Sequence, residues 1–172
     1  MSILIPGRSE SGDNRDTIRA RSGEFFPCET YPPLSPKKMQ INAQELMKWR
    51  RNIELRSVDN YPYNCVGMIF AARRAWIEID YIYGLLRADG YNKIQQTDVS
   101  VGDVVLYKKD IYPVHIGLII SKETIGSTPL IKVMSKWGKD AEFIHLLDDV
   151  PDQLGIPSEF WTDRKAHEHV ST

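Results

Sequence analysis

Two residues, Cys65 and His115, have the types and the setting that nucleophilic sulfur chemistry requires. Cys65 opens an apolar stretch, and His115 lies further along the chain in the β-branched run 113–120. A thiol at the first turn of a helix lies beside unpaired backbone amides and the positive end of the helix dipole, and both favour its thiolate form. A histidine on a strand that faces this helix start would act as the base. The two residues therefore predict a cysteine nucleophile with a histidine partner.

The helix that must position Cys65 is predicted over residues 65–79. Asn64 is a good N-cap, and apolar side chains on most of the circumference indicate a buried helix. A second helix is predicted over 42–56, with Asn42 as its N-cap and a glutamate three residues later. A third is predicted over 81–88, because Asp89 and Gly90 form a C-terminal signal.

The strand that must position His115 belongs to a series of short β-branched runs in the second half of the chain. These runs predict strands at residues 98–107, 114–121, 130–134, 142–146 and 156–161. A hairpin turn is predicted at 108–110. Helices followed by strands indicate an α+β fold, with N-terminal helices packed on one face of a small antiparallel β-sheet.

The length of 172 residues fits one domain with a sizeable core. Residues 1–40 are predicted to form an N-terminal arm that is partly extended or mobile, because they are rich in Ser, Gly, Arg and Pro and lack a sustained period. Residues 41–164 are predicted to form a single α+β domain. Residues 165–172 are predicted to be a flexible tail.

Charge and hydropathy set limits on the partners. Twenty-two Lys and Arg against 23 Asp and Glu give a net charge of −1, which does not favour nucleic acid. No stretch approaches the roughly 20 apolar residues of a membrane span, so no membrane partner is predicted. The N-terminal apolar run is too short for a secretory signal, so we expect a cytoplasmic protein, or one exported by a leaderless route if it is an effector.

Alternative roles for the cysteines and histidines are few. Cys28 lies among prolines and glycines, and we predict a structural or surface role for it. His145 is predicted to be a surface or packing residue, and His167 and His169 to belong to a frayed tail. No cofactor or metal is predicted, because no motif supplies third and fourth ligands beside Cys65 and His115. Taken singly, Cys65 and His115 are each also typical of core packing.

The order of these motifs resembles the NlpC/P60 and CHAP branch of the papain-like cysteine hydrolases. The likeness consists of a cysteine that begins a buried helix, the strand Val101–Val105 and a His-Ile-Gly-Leu-Ile strand, and it spans about residues 60–138. It implies that Cys65 is the nucleophile and His115 the base. Small uncharacterised bacterial members with Asn-Cys and Ser-Lys-x-Gly motifs are more similar still, the second motif being Ser135–Gly138 here.

The resemblance also implies a polar residue that orients the histidine. Well-studied relatives use His, Asn, Asp or Glu at this position, whereas this chain offers Ser135 or Lys136 after the strand 130–134. A serine accepts a hydrogen bond but supplies no negative charge. Side chains of Asn64 and Tyr63 are candidates for oxyanion stabilisation, and Lys136 and Trp137 for binding or orienting the substrate.

The predicted function is that of a cysteine hydrolase (peptidase or amidase) cleaving an amide or isopeptide bond by thiolate attack. Its substrate would be a peptide, a peptidoglycan peptide or a protein conjugate. One alternative is a catalytically silent papain-like module that binds a protein partner through its arm and the aromatic residues Trp49, Tyr61, Tyr63 and Trp137. Another is a bacterial toxin or effector of this fold.

Overall fold

The structure is a computed structural model that describes residues 3–5, 15–31, 35–49, 52–58, 63–139 and 141–165. The helices in these ranges are α1 (Pro36–Trp49), α2 (Cys65–Phe70) and α3 (Ile82–Ala88). The strands are β1 (Ile3–Ile5), β2 (Arg15–Arg19), β3 (Phe25–Glu29), β4 (Glu54–Ser57), β5 (Asn92–Ile94), β6 (Val104–Lys109), β7 (Tyr112–Ile125), β8 (Thr128–Lys136), β9 (Glu142–Leu146) and β10 (Ile156–Thr162). Within the described ranges, none of the helices is long and apolar enough to cross a membrane.

Seven strands form one antiparallel sheet in the order β4-β9-β8-β7-β6-β10-β5. With the few helices beside it, this sheet gives the chain a mixed α+β architecture. The sheet is larger than the small one predicted, because β4 and β5 add a strand at each edge. The predicted strands from 98 to 161 all correspond to observed ones, and the hairpin turn lies at 110–111, since Lys108 and Lys109 continue β6.

The N-terminal segment forms a second, three-stranded sheet in the order β1-β2-β3. Ile18 of β2 and Phe26 and Cys28 of β3 are buried and join the core cluster that contains α2 and α3. The Phe26 ring meets the edge of Tyr81 at 6.5 Å between centroids. The segment 15–29 therefore contributes to the core, and Cys28 has a structural position.

Helix α2 ends nine residues earlier than predicted, at Phe70. The backbone amides of Ala71 and Arg73 both donate to the carbonyl of Gly67, and Ala72 and Arg73 adopt left-handed conformations with φ of 49° and 66°. Left-handed backbone is unfavourable for residues with a side chain and cannot continue an α-helix. Ala75 and Ile77 beyond this turn are buried but not helical, so the prediction of one long helix was wrong.

Helix α1 spans 36–49 rather than the predicted 42–56. Asn42 lies inside it and is not its N-cap. Residues 54–57 form β4, which pairs with β9 at the edge of the large sheet. This strand was missed because its short polar sequence shows little alternation.

The large sheet separates two groups of side chains because successive residues of a strand point to opposite faces. Leu106 and Ile116 are cross-strand partners and pack with the helices; we call this side the helix face. Tyr107 and His115 are the next partners, and Tyr107 belongs to the cluster on the other side, the back face.

Candidate functional site

The start of α2 is fixed by Asn64, which is its N-cap as predicted. The Asn64 side-chain oxygen accepts hydrogen bonds from the amides of Gly67 (2.9 Å) and Ile77 (3.3 Å), and its nitrogen donates to the Ile77 carbonyl (2.6 Å). These three bonds tie the first turn of the helix to the extended chain that follows it. They also engage both the oxygen and the nitrogen of the Asn64 amide within the fold.

Gly67 is where the first turn of α2 comes close to the chain that follows the helix. A Cβ atom at this position would lie 1.8 Å from the carbonyl oxygen of Ala75, a distance that no side chain tolerates. The absence of a side chain at Gly67 therefore lets the returning chain pack against the helix that carries Cys65.

The Cys65 thiol is buried, with 7% of the residue exposed. Its sulfur lies beside the backbone amide of Ile116 in β7 and beside the amides of Val66 and of Cys65 itself. Burial raises the pKa of the thiol to about 11, while the three amides lower it. The sequence argument identified the helix-start amides correctly, but burial outweighs them, so the resting cysteine is a protonated thiol at neutral pH.

The His115 imidazole is also buried, with 1% of the residue exposed. Its ring packs against Tyr107 at 5.4 Å between centroids. Burial lowers its pKa to about 3, and the charge of His145 adds to the effect. Among the described residues, Nε2 of His115 has no hydrogen-bond partner, which is rare for a buried nitrogen.

The structure brings Cys65 to the strand of His115 without joining the two side chains. Backbone amides lie in the plane of a sheet, so a sulfur beside the Ile116 amide lies level with β7. The pairing of β7 with β8 ends at Leu118 and Met134, which leaves this edge of β7 unpaired where Cys65 meets it. The His115 ring starts one residue earlier, on the back face, and its Nε2 does not bond to the thiol.

Ser135, predicted as the orienting residue, bonds to a different histidine. Its Oγ lies 2.8 Å from Nε2 of His145 and accepts a hydrogen bond of 3.0 Å from the Trp137 indole. The Nδ1 atom of His145 lies 2.7 Å from the carbonyl oxygen of Leu146. His145 was predicted to pack or lie at the surface, and its place in this network was missed. The signal that could have identified it is the alternation of His145 with Phe143 and Leu147, which are buried with it.

The helix face holds a second polar cluster, centred on the buried carboxylate of Glu142. Tyr63 donates its hydroxyl to Oε1 at 2.7 Å, and Arg73 donates from Nε to Oε1 at 2.6 Å and from Nη2 to Oε2 at 3.2 Å. The ammonium of Lys136 lies 4.9 Å from the centre of the Tyr63 ring. Tyr63 and Lys136 are therefore buried and engaged within the fold, which argues against their predicted roles toward an oxyanion or substrate.

Two of the four aromatic residues predicted to bind a partner are buried in the fold. Tyr63 and Trp137 are buried, and Trp137 stacks near Phe143 with centroids 4.4 Å apart. Tyr61 and the side chain of Trp49 lie outside the described part of the chain.

Three cavities of about 300, 160 and 110 Å³ lie elsewhere on the molecule. The largest is apolar and lies on the helix face, between the C-terminal half of α2 and the strands β7 and β8, with Arg73 at its wall. None of these three is lined by Cys65 or His115.

The described residues contain no cluster of three or more histidine, cysteine or acidic side chains that could hold a metal ion. His167 and His169 lie outside these residues. The fold and the site thus define an α+β protein in which a helix-start cysteine meets the strand of a buried histidine. No family model, curated protein or solved structure matches the chain.

Proposed function

We propose that this chain is a papain-like cysteine hydrolase that cleaves an amide or isopeptide bond, with Cys65 as nucleophile and His115 as general base. The observation that carries the proposal is the contact between the Cys65 sulfur and the amide of Ile116. The start of α2 thus lies against the strand that carries His115, as the order of the sequence motifs leads us to expect.

The unpartnered nitrogen of His115 supports the proposal. A buried polar atom without a hydrogen bond costs about 1–3 kcal/mol, so folding alone gives no reason to keep a histidine at this position. Such unmet polar atoms are typical of catalytic groups that find their partner when substrate binds.

The reaction would begin from a neutral pair, because the pKa of Cys65 is about 11 and that of His115 about 3. The imidazole of His115 takes the thiol proton as the sulfur attacks the carbonyl carbon, and a tetrahedral oxyanion forms. The oxyanion collapses, the carbon–nitrogen bond breaks, and the imidazolium returns the proton to the leaving amine. Water then hydrolyses the thioester, which releases a carboxylic acid and restores the thiol.

The donors for the oxyanion would be backbone amides. The side chains of Asn64 and Tyr63 are occupied within the fold, whereas the amides of Cys65 and Val66 at the first turn of α2 have no partner inside the helix. Amides at such a position stabilise developing negative charge by about 3 kcal/mol per donor.

A second candidate is the catalytically silent module of the same fold that binds a protein partner. The burial of both Cys65 and His115 favours it, as does their absence from the lining of the three cavities. A substrate has to open the site before the thiol can react.

The two candidates differ in the reactivity of Cys65 relative to Cys28. Cys28 is the internal control, because it too is buried, and burial raises its pKa to about 12, but no histidine strand meets it. The folded protein is treated with a peptide-based thiol electrophile, and the labelling rate of each cysteine is measured by mass spectrometry. Turnover of fluorogenic peptide amides and isopeptides is measured alongside.

The hydrolase proposal predicts that Cys65 is labelled faster than Cys28 and that His115→Phe removes the difference. It also predicts turnover that Cys65→Ala abolishes. Equal labelling of the two cysteines, with no turnover of any peptide, would leave the silent module as the function of this fold.

A further inference from the structure

The cavity of about 160 Å³ lies where the N-terminal sheet meets the chain between α2 and α3. We call it the N-terminal cavity. Neither Cys65 nor His115 lines it, so the proposed hydrolase mechanism does not use it. Its described lining includes two aromatic rings, three carboxylates and one guanidinium, which belong to Trp76 and Tyr81, to Asp16, Glu29 and Glu78, and to Arg15.

The two walls of the N-terminal cavity are joined through Glu29 and Trp76. Their backbones exchange two hydrogen bonds of 2.8 Å, as an isolated antiparallel bridge. In such a pair the two side chains lie on the same side of the backbone. The Trp76 indole also donates to Oε1 of Glu78 at 2.9 Å. The backbone and this bond therefore hold one aromatic ring and two carboxylates together.

Each of the two glutamates keeps one oxygen available to a ligand. Oε2 of Glu29 accepts a hydrogen bond from the Tyr31 hydroxyl, and Oε1 of Glu78 accepts the one from the indole. Within the part of the chain that the structure describes, the second oxygen of each carboxylate has no hydrogen bond, and neither carboxylate has an ion pair. Both negative charges are thus available to the cavity.

The charge of the cavity favours a cation. Asp16 adds a third carboxylate to the described lining, whereas Arg15 supplies its one positive charge. A concave site lined by an excess of one sign concentrates ions of the opposite sign. The N-terminal cavity should therefore attract cations and repel anions.

The kind of cation follows from the aromatic rings. A metal ion needs several ligands that converge on one point, and the described residues contain no such group of three. The faces of Trp and Tyr rings attract organic ammonium ions instead, most strongly where water is partly excluded. One ammonium of the chain already does this, because Nζ of Lys139 lies 5.9 Å from the centre of the Trp76 ring.

We propose that the N-terminal cavity binds a small alkylammonium ion, whose alkyl groups contact the rings of Trp76 and Tyr81 and whose charge faces Glu29 and Glu78. Drug-sized ligands occupy pockets of about 300 Å³ or more, so the cation at this smaller site is small. The inference is independent of the proposed hydrolase function, since it involves neither Cys65 nor His115.

The first test compares choline with 3,3-dimethyl-1-butanol, a neutral molecule of the same shape. Each is titrated into the full chain, and the indole N–H signal of Trp76 is followed by NMR, assigned by its loss in Trp76→Phe. We expect a saturable shift with choline in the low millimolar range and none with the alcohol, because only choline carries a charge. Equal shifts with both molecules, or no shift with choline, overturn the inference.

The second test removes charges of opposite sign. Glu78→Gln should weaken choline binding by roughly threefold, and Lys139→Gln should strengthen it, because the lysine is a cation beside the same ring. Glutamine keeps an oxygen for the Trp76 indole. The matched control is Glu123→Gln, which makes the same charge change on β7 outside the cavity and should leave the dissociation constant unchanged. Changes of the same sign in Glu78→Gln and Lys139→Gln, or an equal effect of Glu123→Gln, overturn the inference.

The third test removes the rings. Trp76→Leu should weaken choline binding by about fivefold or more, and Tyr81→Leu provides the same test if Trp76→Leu fails to fold. Unchanged affinity in a folded variant overturns the inference. A short peptide with Nε-trimethyl-lysine then replaces choline: tighter binding of the peptide supports a site for a cation on a protein, and weaker binding supports a site for a free cation.

Discussion

The two polar clusters of the sheet differ in how completely their hydrogen bonds are satisfied. On the helix face, both carboxylate oxygens of Glu142 are bonded, one of them by both Tyr63 and Arg73. On the back face, His145 and Ser135 are bonded but Nε2 of His115 is not, among the residues described. Buried polar groups of native proteins are normally paired, so the helix-face cluster is suited to holding the fold together and the back-face cluster to acting on something else.

The largest effect on stability is expected from Glu142→Gln. The change removes a buried charge that two donors share, and it leaves the Arg73 guanidinium without its counter-ion. We expect the free energy of unfolding to fall by about 3 kcal/mol, the lower end for a broken buried pair, because Arg73 is partly exposed. Urea denaturation provides the measurement.

The matched control is Asp163→Asn, which breaks the more exposed pair of Asp163 with Arg21. A surface pair contributes less than about 1 kcal/mol. If both variants lose the same free energy of unfolding, the helix-face cluster does not have the structural role that we assign to it.

Acid should destabilise the protein through His115. Its pKa is about 3 in the folded state and 6.5 in an unperturbed chain, so the unfolded state binds the proton first as pH falls. The contribution of His115 to stability is complete above about pH 6.5 and is lost as the pH falls toward 3. Between pH 6 and pH 4 the loss is about 2.5 kcal/mol.

The readout is the difference between the pH–stability curves of the wild type and His115→Phe, measured by thermal or urea unfolding. Carboxylates titrate equally in both proteins, so the difference isolates the histidine. Parallel curves over this pH range would show that the imidazole is solvated rather than buried.

A smaller effect is expected from Tyr107→Phe. The Tyr107 hydroxyl donates to the carbonyl of Leu147 at 3.0 Å, and its ring packs against both His115 and His145. Removing one neutral hydrogen bond while keeping the ring should cost about 1 kcal/mol in urea unfolding. A loss as large as that of Glu142→Gln would mean that the back face is as important for stability as the helix face.

The smallest effect on stability is expected from His115→Phe at neutral pH, although the same change should have a large effect on activity. The imidazole, which has a nitrogen without a hydrogen bond, is replaced by an apolar ring of similar shape. The free energy of unfolding should therefore change by less than about 1 kcal/mol or rise. Hydrolysis by the proposed mechanism should be lost. Marked destabilisation with unchanged turnover would reverse the comparison between the two clusters.

The strands of the large sheet could be predicted because β-branched runs and alternation are local signals. Those signals located β6 to β10, and Asn64 located the start of α2. The end of α2 could not be predicted, because Ala72 and Arg73 have no sequence signal for left-handed backbone. The apolar residues beyond them are buried for a tertiary reason, namely the bonds between Asn64 and Ile77.

The N-terminal sheet did leave a signal that was passed over. Ile18 and Ala20 alternate with polar neighbours, and Phe26 and Cys28 repeat the same spacing of two. These four are the buried residues of that segment. The candidate site was predictable as far as residue types and elements are concerned. The direction in which His115 points and the engagement of Ser135 with His145 depend on strand pairing, which a single sequence does not fix.

The contact of Gly67 with Ala75 has a consequence for finding remote relatives of this chain. Any protein that builds a helix-start cysteine on the same turn must leave this position without a β-carbon, because backbone on both sides of the contact blocks adjustment. A pattern of asparagine, cysteine, any residue and glycine is thus a steric fingerprint, and it should persist in homologues whose chemistry has drifted or vanished. Searching with that spacing, rather than with the proposed catalytic pair alone, would recover relatives whether or not they keep that pair.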